Sequence, residues 1–122
     1  MRLALIGSVV LVVLAAPALG GQDAAVVGAT ATAQGDGKWR FDVTVAHDDT
    51  GWEDYAYAWE VLGPDGTLLG KRVLVHPHVN EQPFTRSLSG VAIPAGITKV
   101  TIRAHDNVAG YSGNEFELEL PK

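Results

Sequence analysis

Residues Lys38-Trp39-Arg40-Phe41-Asp42-Val43-Thr44-Val45 alternate apolar and polar without a break. A period of two suits a strand with one buried and one wet face, and a helix cannot gather it onto one side. The pattern returns in Val100, Ile102 and Ala104 against Lys99, Thr101 and Arg103. It returns again in Phe116, Leu118 and Leu120 against Glu115, Glu117 and Glu119. Tyr55, Tyr57, Trp59 and Val61 read as one face of a further strand, and residues 26–33, 68–75 and 84–91 supply three more. Beyond the N-terminal segment no stretch repeats apolar residues at helical spacing over two turns. The chain reads as all-β, with about seven strands.

The connections between these strands fall into two kinds. Gln34-Gly35-Asp36-Gly37-Lys38, Gly63-Pro64-Asp65-Gly66-Thr67 and Ile93-Pro94-Ala95-Gly96-Ile97 are tight and glycine-bearing. Between them lie longer polar stretches at residues 47–55, 76–83 and 105–114. Consecutive antiparallel strands reverse direction, so the links after the second, fourth and sixth strands share one end of the molecule. That end is expected to collect His47, His76, His78 and His105, which are all the histidines of the chain.

The N-terminus reads as a secretory signal peptide spanning residues 1–20. Arg2 is its basic start, residues 3–14 are its apolar centre, and Ala18-Leu19-Gly20 offers small residues at a cleavage site. The apolar run is short for a membrane span and Pro17 interrupts its end, which disfavours a membrane anchor. No cysteine is present, so lipidation of a cysteine after the apolar run is not expected. Residues 21–122, about 102 residues, suffice for one domain with its own core. Without Arg2 this part carries 8 basic and 14 acidic side chains, a net charge of −6. Such a surface argues against nucleic acid and anionic lipid as partners. The lack of cysteine also excludes disulfides, thiolate metal ligands and thiol nucleophiles.

The run Tyr57-Ala58-Trp59-Glu60-Val61, followed by Pro64-Asp65-Gly66, resembles the third strand and turn of bacterial immunoglobulin-like and fibronectin type III domains. The resemblance implies a single immunoglobulin-like antiparallel β-sandwich with Trp59 between its sheets; a seven-strand barrel is the competing architecture. The segment His76-Pro77-His78-Val79-Asn80-Glu81-Gln82-Pro83-Phe84-Thr85-Arg86-Ser87-Leu88-Ser89-Gly90-Val91, with Thr50-Gly51-Trp52 upstream, resembles a group of small exported bacterial proteins. That likeness implies a location, periplasmic or secreted, and a fold, but no chemistry. A weaker internal echo relates residues 43–49 to residues 100–107 with one inserted residue; two central strands emerging into polar loops account for it better than a true duplication does.

Several clusters can carry chemistry. In extended backbone His76 and His78 project to one side, and Pro77 keeps them extended. With His47 or His105 as a third ligand, they form a candidate Cu(II) or Zn(II) site. Strand phase points His47 inward and His105 outward, which opposes convergence of all four. Asp48, Asp49, Glu53 and Asp54, with Asp106 near them, offer hard oxygen ligands for Ca²⁺, but their spacing matches no calcium loop and acidic turn residues cap backbone. Arg86 lies in phase with Phe84 and Leu88 on an inward row, where a pair with Glu81 or a loop carboxylate would satisfy it. Gly110-Tyr111-Ser112-Gly113 lacks the spacing of a nucleophile elbow, and no His-Glu-x-x-His run exists.

The expected function is a non-enzymatic binding or accessory domain, without a required cofactor, acting in the periplasm or outside a bacterial cell. Its surface would be the histidine-bearing pole, with Trp52, Tyr55 and Tyr111 giving apolar area and Glu81 and Arg86 polarity. Its partner would be another exported protein or a small ligand, with no membrane contact after signal cleavage. The alternative is a copper- or zinc-binding protein using His76, His78 and a third histidine.

Overall fold

Two four-stranded antiparallel sheets pack face to face in the computed structural model, which describes residues 9–10 and 23–122. The strands are β1 (Val9–Val10), β2 (Ala25–Gly35), β3 (Lys38–Ala46), β4 (Ala56–Leu62), β5 (Leu68–Val73), β6 (Phe84–Ala92), β7 (Lys99–Asp106) and β8 (Gly110–Glu119). One sheet has the order β1-β2-β3-β6 and the other β5-β4-β7-β8. Among the described residues there is no helix. Two open sheets make this an antiparallel β-sandwich and not a closed barrel. Its fourth long strand, β5, pairs with β4, whereas in the constant-type arrangement the fourth strand joins the other sheet.

Most of the expected signal peptide, residues 1–20, lies outside the described residues. Of that segment Val9 and Val10 pair with Thr30 and Ala29 on the outer edge of β2.

Alternation sends the expected residues inward. Phe41, Val43 and Val45 of β3 are fully buried, and Trp39 at its start is partly buried. From the facing sheet come Trp59, Val61, Val100, Ile102, Ala104 and Leu118, so one core joins both sheets. Trp59 is completely enclosed there. Asp36 and Gly37 both have positive φ, at 58° and 76°, and join β2 to β3 as a two-residue turn. Asp-Gly favours this turn because its twist matches that of the strands on either side. Where the sandwich closes between β5 and β6, Gly70 lies so near Leu88 and Val91 that a Cβ would stand 3.1–3.3 Å from their methyl groups.

Two expectations need correction. Tyr55 and Tyr57 do not share the face of Trp59. The pairing of β4 with β7 steps from Ala56↔Asp106 to Ala58↔His105, so Tyr57 is the extra residue of a β-bulge. Beyond it the phase inverts, Ala56 goes inward, and the tyrosine turns to the outer face beside His105. The second correction is the link at 105–114. Strand β7 runs on to Asp106 and β8 begins at Gly110, so only three residues remain between them. His105 and Tyr111 are thus cross-strand partners, not loop residues.

Candidate functional site

Strand parity brings the links β3–β4, β5–β6 and β7–β8 to one pole, and hydrogen bonds tie the three together. The His47 amide donates to Gln82 Oε1 at 2.9 Å, while Gln82 Nε2 donates to the His78 carbonyl at 3.1 Å. Asn107 Oδ1 accepts from the Tyr55 amide at 2.8 Å, and Asn107 Nδ2 donates to the Trp52 carbonyl at 2.9 Å.

The centre of the pole is polar and buried. The His47 ring, its side chain 1% exposed, extends the inward row of β3 beyond Val45. Asp49 follows it. Oδ1 of this carboxylate lies 2.6 Å from His47 Nδ1 and accepts the Ala56 amide at 3.0 Å. Its Oδ2 accepts the His78 amide at 2.8 Å. An ionised carboxylate can only accept, so Nδ1 carries the hydrogen of this contact and Nε2 faces away from Asp49. On that side stand Asp54 Oδ1 at 3.5 Å and Asp106 Oδ2 at 3.7 Å. Asp106 is wholly buried at the end of β7, where its Oδ1 accepts the Val108 and Ala109 amides that turn the chain into β8. Its Oδ2 accepts the Ala24 amide at 3.2 Å. Among the described residues, His47, Asp54 and Asp106 are the one His/Asp/Glu group of three or more whose ligand atoms all lie within 4.8 Å of one another.

The other histidines have different surroundings. His76 and His78 are neighbours, their ring centroids 4.7 Å apart, with His76 exposed and His78 buried. The His78 ring stacks on Phe84 at 3.9 Å and 11°, and its Nδ1 is buried without a hydrogen-bond partner. Burial, followed by the nearby charges of Arg86 and His76, holds the His78 pKa below its ordinary 6.5. His105 lies on the outer face of the β4-β7-β8 sheet, between Tyr57 at 4.5 Å and Tyr111 at 4.0 Å. Burial, against the pull of Asp106, lowers its pKa as well.

Nor do the expected surface residues form one patch. Trp52, Tyr55, Tyr57, His105 and Tyr111 make a continuous aromatic row, each ring within 6.2 Å of the next. Arg103 ends it, stacked 3.9 Å from the Tyr111 ring and bonded to Glu60 Oε1 at 3.0 Å. Burial, then the hydrogen bond to Glu60, pushes the Tyr111 phenol up to about 12. Arg86 and Glu81 stand apart from this row. They pair at 3.1 Å beside Phe84 and His78, with Arg86 on the inner row of β6 opposite Val43. Sequence reasoning missed Tyr57 as a surface residue, because nothing in the alternation marks the bulge.

The acidic loop is likewise divided. Asp48 is exposed, and Glu53 accepts the Thr50 hydroxyl within its own turn. The turn Gly51–Asp54, in which the Asp54 amide donates to the Gly51 carbonyl and the Thr50 amide to the Asp54 carbonyl, presents Asp54 toward His47. In the internal echo, the inserted residue changes the phase, so it is Asp106 and not His105 that goes inward beside His47.

No family model matches the chain, and no solved structure matches it significantly. It is similar to a protein of Halomicrobium mukohataei described as "Putative lipoprotein", with 41% identity over 98 residues. The match covers 80% of this chain and 48% of that protein, so the chain spans about half the length of the curated relative it matches.

Proposed function

We propose that the protein is an exported, non-enzymatic binding domain that engages another exported protein or a small ligand through its histidine-bearing pole and the aromatic row leading from it. Trp52 carries this reading. The residue is 64% exposed, yet its loop is held at both Trp52 and Tyr55 by the single side chain of Asn107. Val108, 66% exposed, is the next residue in that turn. A large aromatic presented on an ordered loop loses little freedom on binding, and such residues anchor interfaces. The description of the relative as a lipoprotein supports export. The buried carboxylates Asp49 and Asp106 take backbone amides, which supports a structural role for them over a catalytic one.

The test compares capture of envelope proteins by the wild-type chain, Trp52→Ala, and Leu68→Ala at the opposite end. A specific partner should be lost at least tenfold with Trp52→Ala and kept with Leu68→Ala. Retention by Trp52→Ala would move the working surface elsewhere.

A second reading, a copper- or zinc-binding protein using His76, His78 and a third histidine, draws on the paired rings and the partnerless His78 Nδ1. Against it, the two ring nitrogens of His47 face Asp49, Asp54 and Asp106, and His105 is stacked on the outer sheet face.

A further inference from the structure

We infer that the pole holds a divalent transition-metal ion of the Zn(II) class, bound by His47 Nε2, Asp54 Oδ1 and Asp106 Oδ2. This goes beyond partner binding and uses neither His76 nor His78.

The ligand set begins with His47, whose imidazole is oriented before any ion arrives. Asp49 takes the hydrogen on Nδ1, which directs Nε2 toward the two remaining carboxylates. Metal-ligating histidines are commonly fixed by a carboxylate on the far ring nitrogen, which sets the tautomer and raises ligand basicity. Asp49 is itself fixed by the Ala56 and His78 amides, so it is a positioning residue and not a ligand.

Distances support an ion between these atoms. Nε2 lies 3.5 Å from Asp54 Oδ1 and 3.7 Å from Asp106 Oδ2, beyond good hydrogen bonds. Metal bonds of about 2.0–2.1 Å in tetrahedral array put neighbouring ligand atoms about 3.4 Å apart, close to both distances from Nε2, and the two carboxylate oxygens lie within 4.8 Å of each other. A second observation points the same way. Asp54 Oδ1 is buried and has no hydrogen-bond partner, although a buried carboxylate oxygen normally finds one. An ion at this position would satisfy it.

Donor chemistry selects the class of ion. One imidazole with two carboxylates suits Zn(II) or Cu(II), whereas Ca²⁺ takes oxygen ligands alone. Access is from the Asp54 side, its side chain 27% exposed, while those of His47 and Asp106 are 1% and 0% exposed. Three protein ligands leave one position for water or for a group from a partner. The ligands come from the end of β3 in one sheet, the end of β7 in the other, and the turn between β3 and β4. A bound ion would therefore clamp the two sheets together at the pole.

Zinc titration of the chelator-stripped full chain by calorimetry tests this, with thermal unfolding and ring ¹⁵N shifts as further readouts. We expect one Zn(II) per chain at micromolar affinity or tighter, and an unfolding midpoint raised by about 5 °C or more at saturation. Asp54→Asn should weaken binding at least tenfold, and a His76→Ala/His78→Ala double variant should leave it unchanged. Ca²⁺ at the same concentrations should not compete. The ring-nitrogen shifts need no substitution: Nε2 of His47 should move on zinc addition, and the His76 and His78 nitrogens should not. Zinc binding no tighter than millimolar overturns the assignment, leaving His47 as a packing residue among its three aspartates. Binding that survives Asp54→Asn, is displaced by Ca²⁺, or moves the nitrogens of His76 and His78 instead also overturns it. Loss of partner capture in Trp52→Ala, with its zinc affinity retained, would separate the two proposals.

Discussion

At the scale of single residues, the pole is built by side chains that satisfy backbone. Asp49 accepts two amides, one from the start of β4 and one from the β5–β6 link, and Asp106 accepts three. Each such charged acceptor contributes more than a neutral one and leaves several buried donors stranded if removed. His78 has the opposite character, because its ring is packed on Phe84 with no partner at Nδ1. Burial, Arg86 and His76 disfavour its charged form, while Glu81 and Asp49 offset them in part. A histidine whose folded pKa is depressed binds fewer protons in the fold than in the unfolded chain below the ordinary value of 6.5. Its stabilising contribution is complete above that pH and is lost as pH falls toward the folded pKa. Stability from urea unfolding should therefore drop between pH 7.5 and 5.5, and drop less in His78→Phe, which keeps the stack without the charge. Parallel falls in both proteins would show that His78 does not sense pH. The Arg86–Glu81 pair adds little to this balance, since both side chains are substantially exposed.

At the scale of elements, β4 separates what alternation can and cannot reveal. Strands β3, β7 and β8 were legible in the sequence because each keeps one phase through its buried stretch, so burial follows directly from the period of two. In β4 the bulge at Tyr57 breaks that phase, and bulges leave no mark in a pattern of apolar residues when both phases carry aromatics or alanine. The lost signal hid the aromatic row, since Tyr57 is its link between Tyr55 and His105. The inward course of Asp106 was equally hard to see, because a charged residue is not counted as core until its backbone partners are known. His47 inward and His105 outward followed from phase alone. The corrected face of β4 has a measurable consequence. Trp59→Ala empties a fully enclosed site and should cost about 3–5 kcal/mol. Tyr57→Ala, on the half-exposed outer face, should cost about 1–2 kcal/mol. Equal losses in chemical denaturation would mean that the two rings share a face after all.

At the scale of the whole molecule, the question is whether the polar pole and the apolar core form one cooperative unit. One continuous cluster spans both sheets, from Ala24 beside the pole to Leu120 at the last strand. The pole is joined to it directly: Asp49 holds Ala56, a core residue, and Asp106 holds Ala24, another. Opening the pole therefore uncovers core, and the core has no disulfide to hold it once opened, as the chain contains no cysteine. Domains of this size with a single core unfold in one step. Tryptophan positions allow a direct check, since Trp52 reports the pole and Trp59 the core. A Trp39→Phe/Trp52→Phe variant leaves only the core reporter, and Trp39→Phe/Trp59→Phe only the pole reporter. In each variant the fluorescence midpoint in urea should coincide with that of β-type circular dichroism, and reducing agent should change neither. Were the Trp52 signal to move at distinctly lower urea than circular dichroism in the same variant, the pole would be a separate, weaker unit. The sandwich would then be held by its apolar centre alone, and a metal clamp between β3 and β7 would raise the pole transition without moving that of the core.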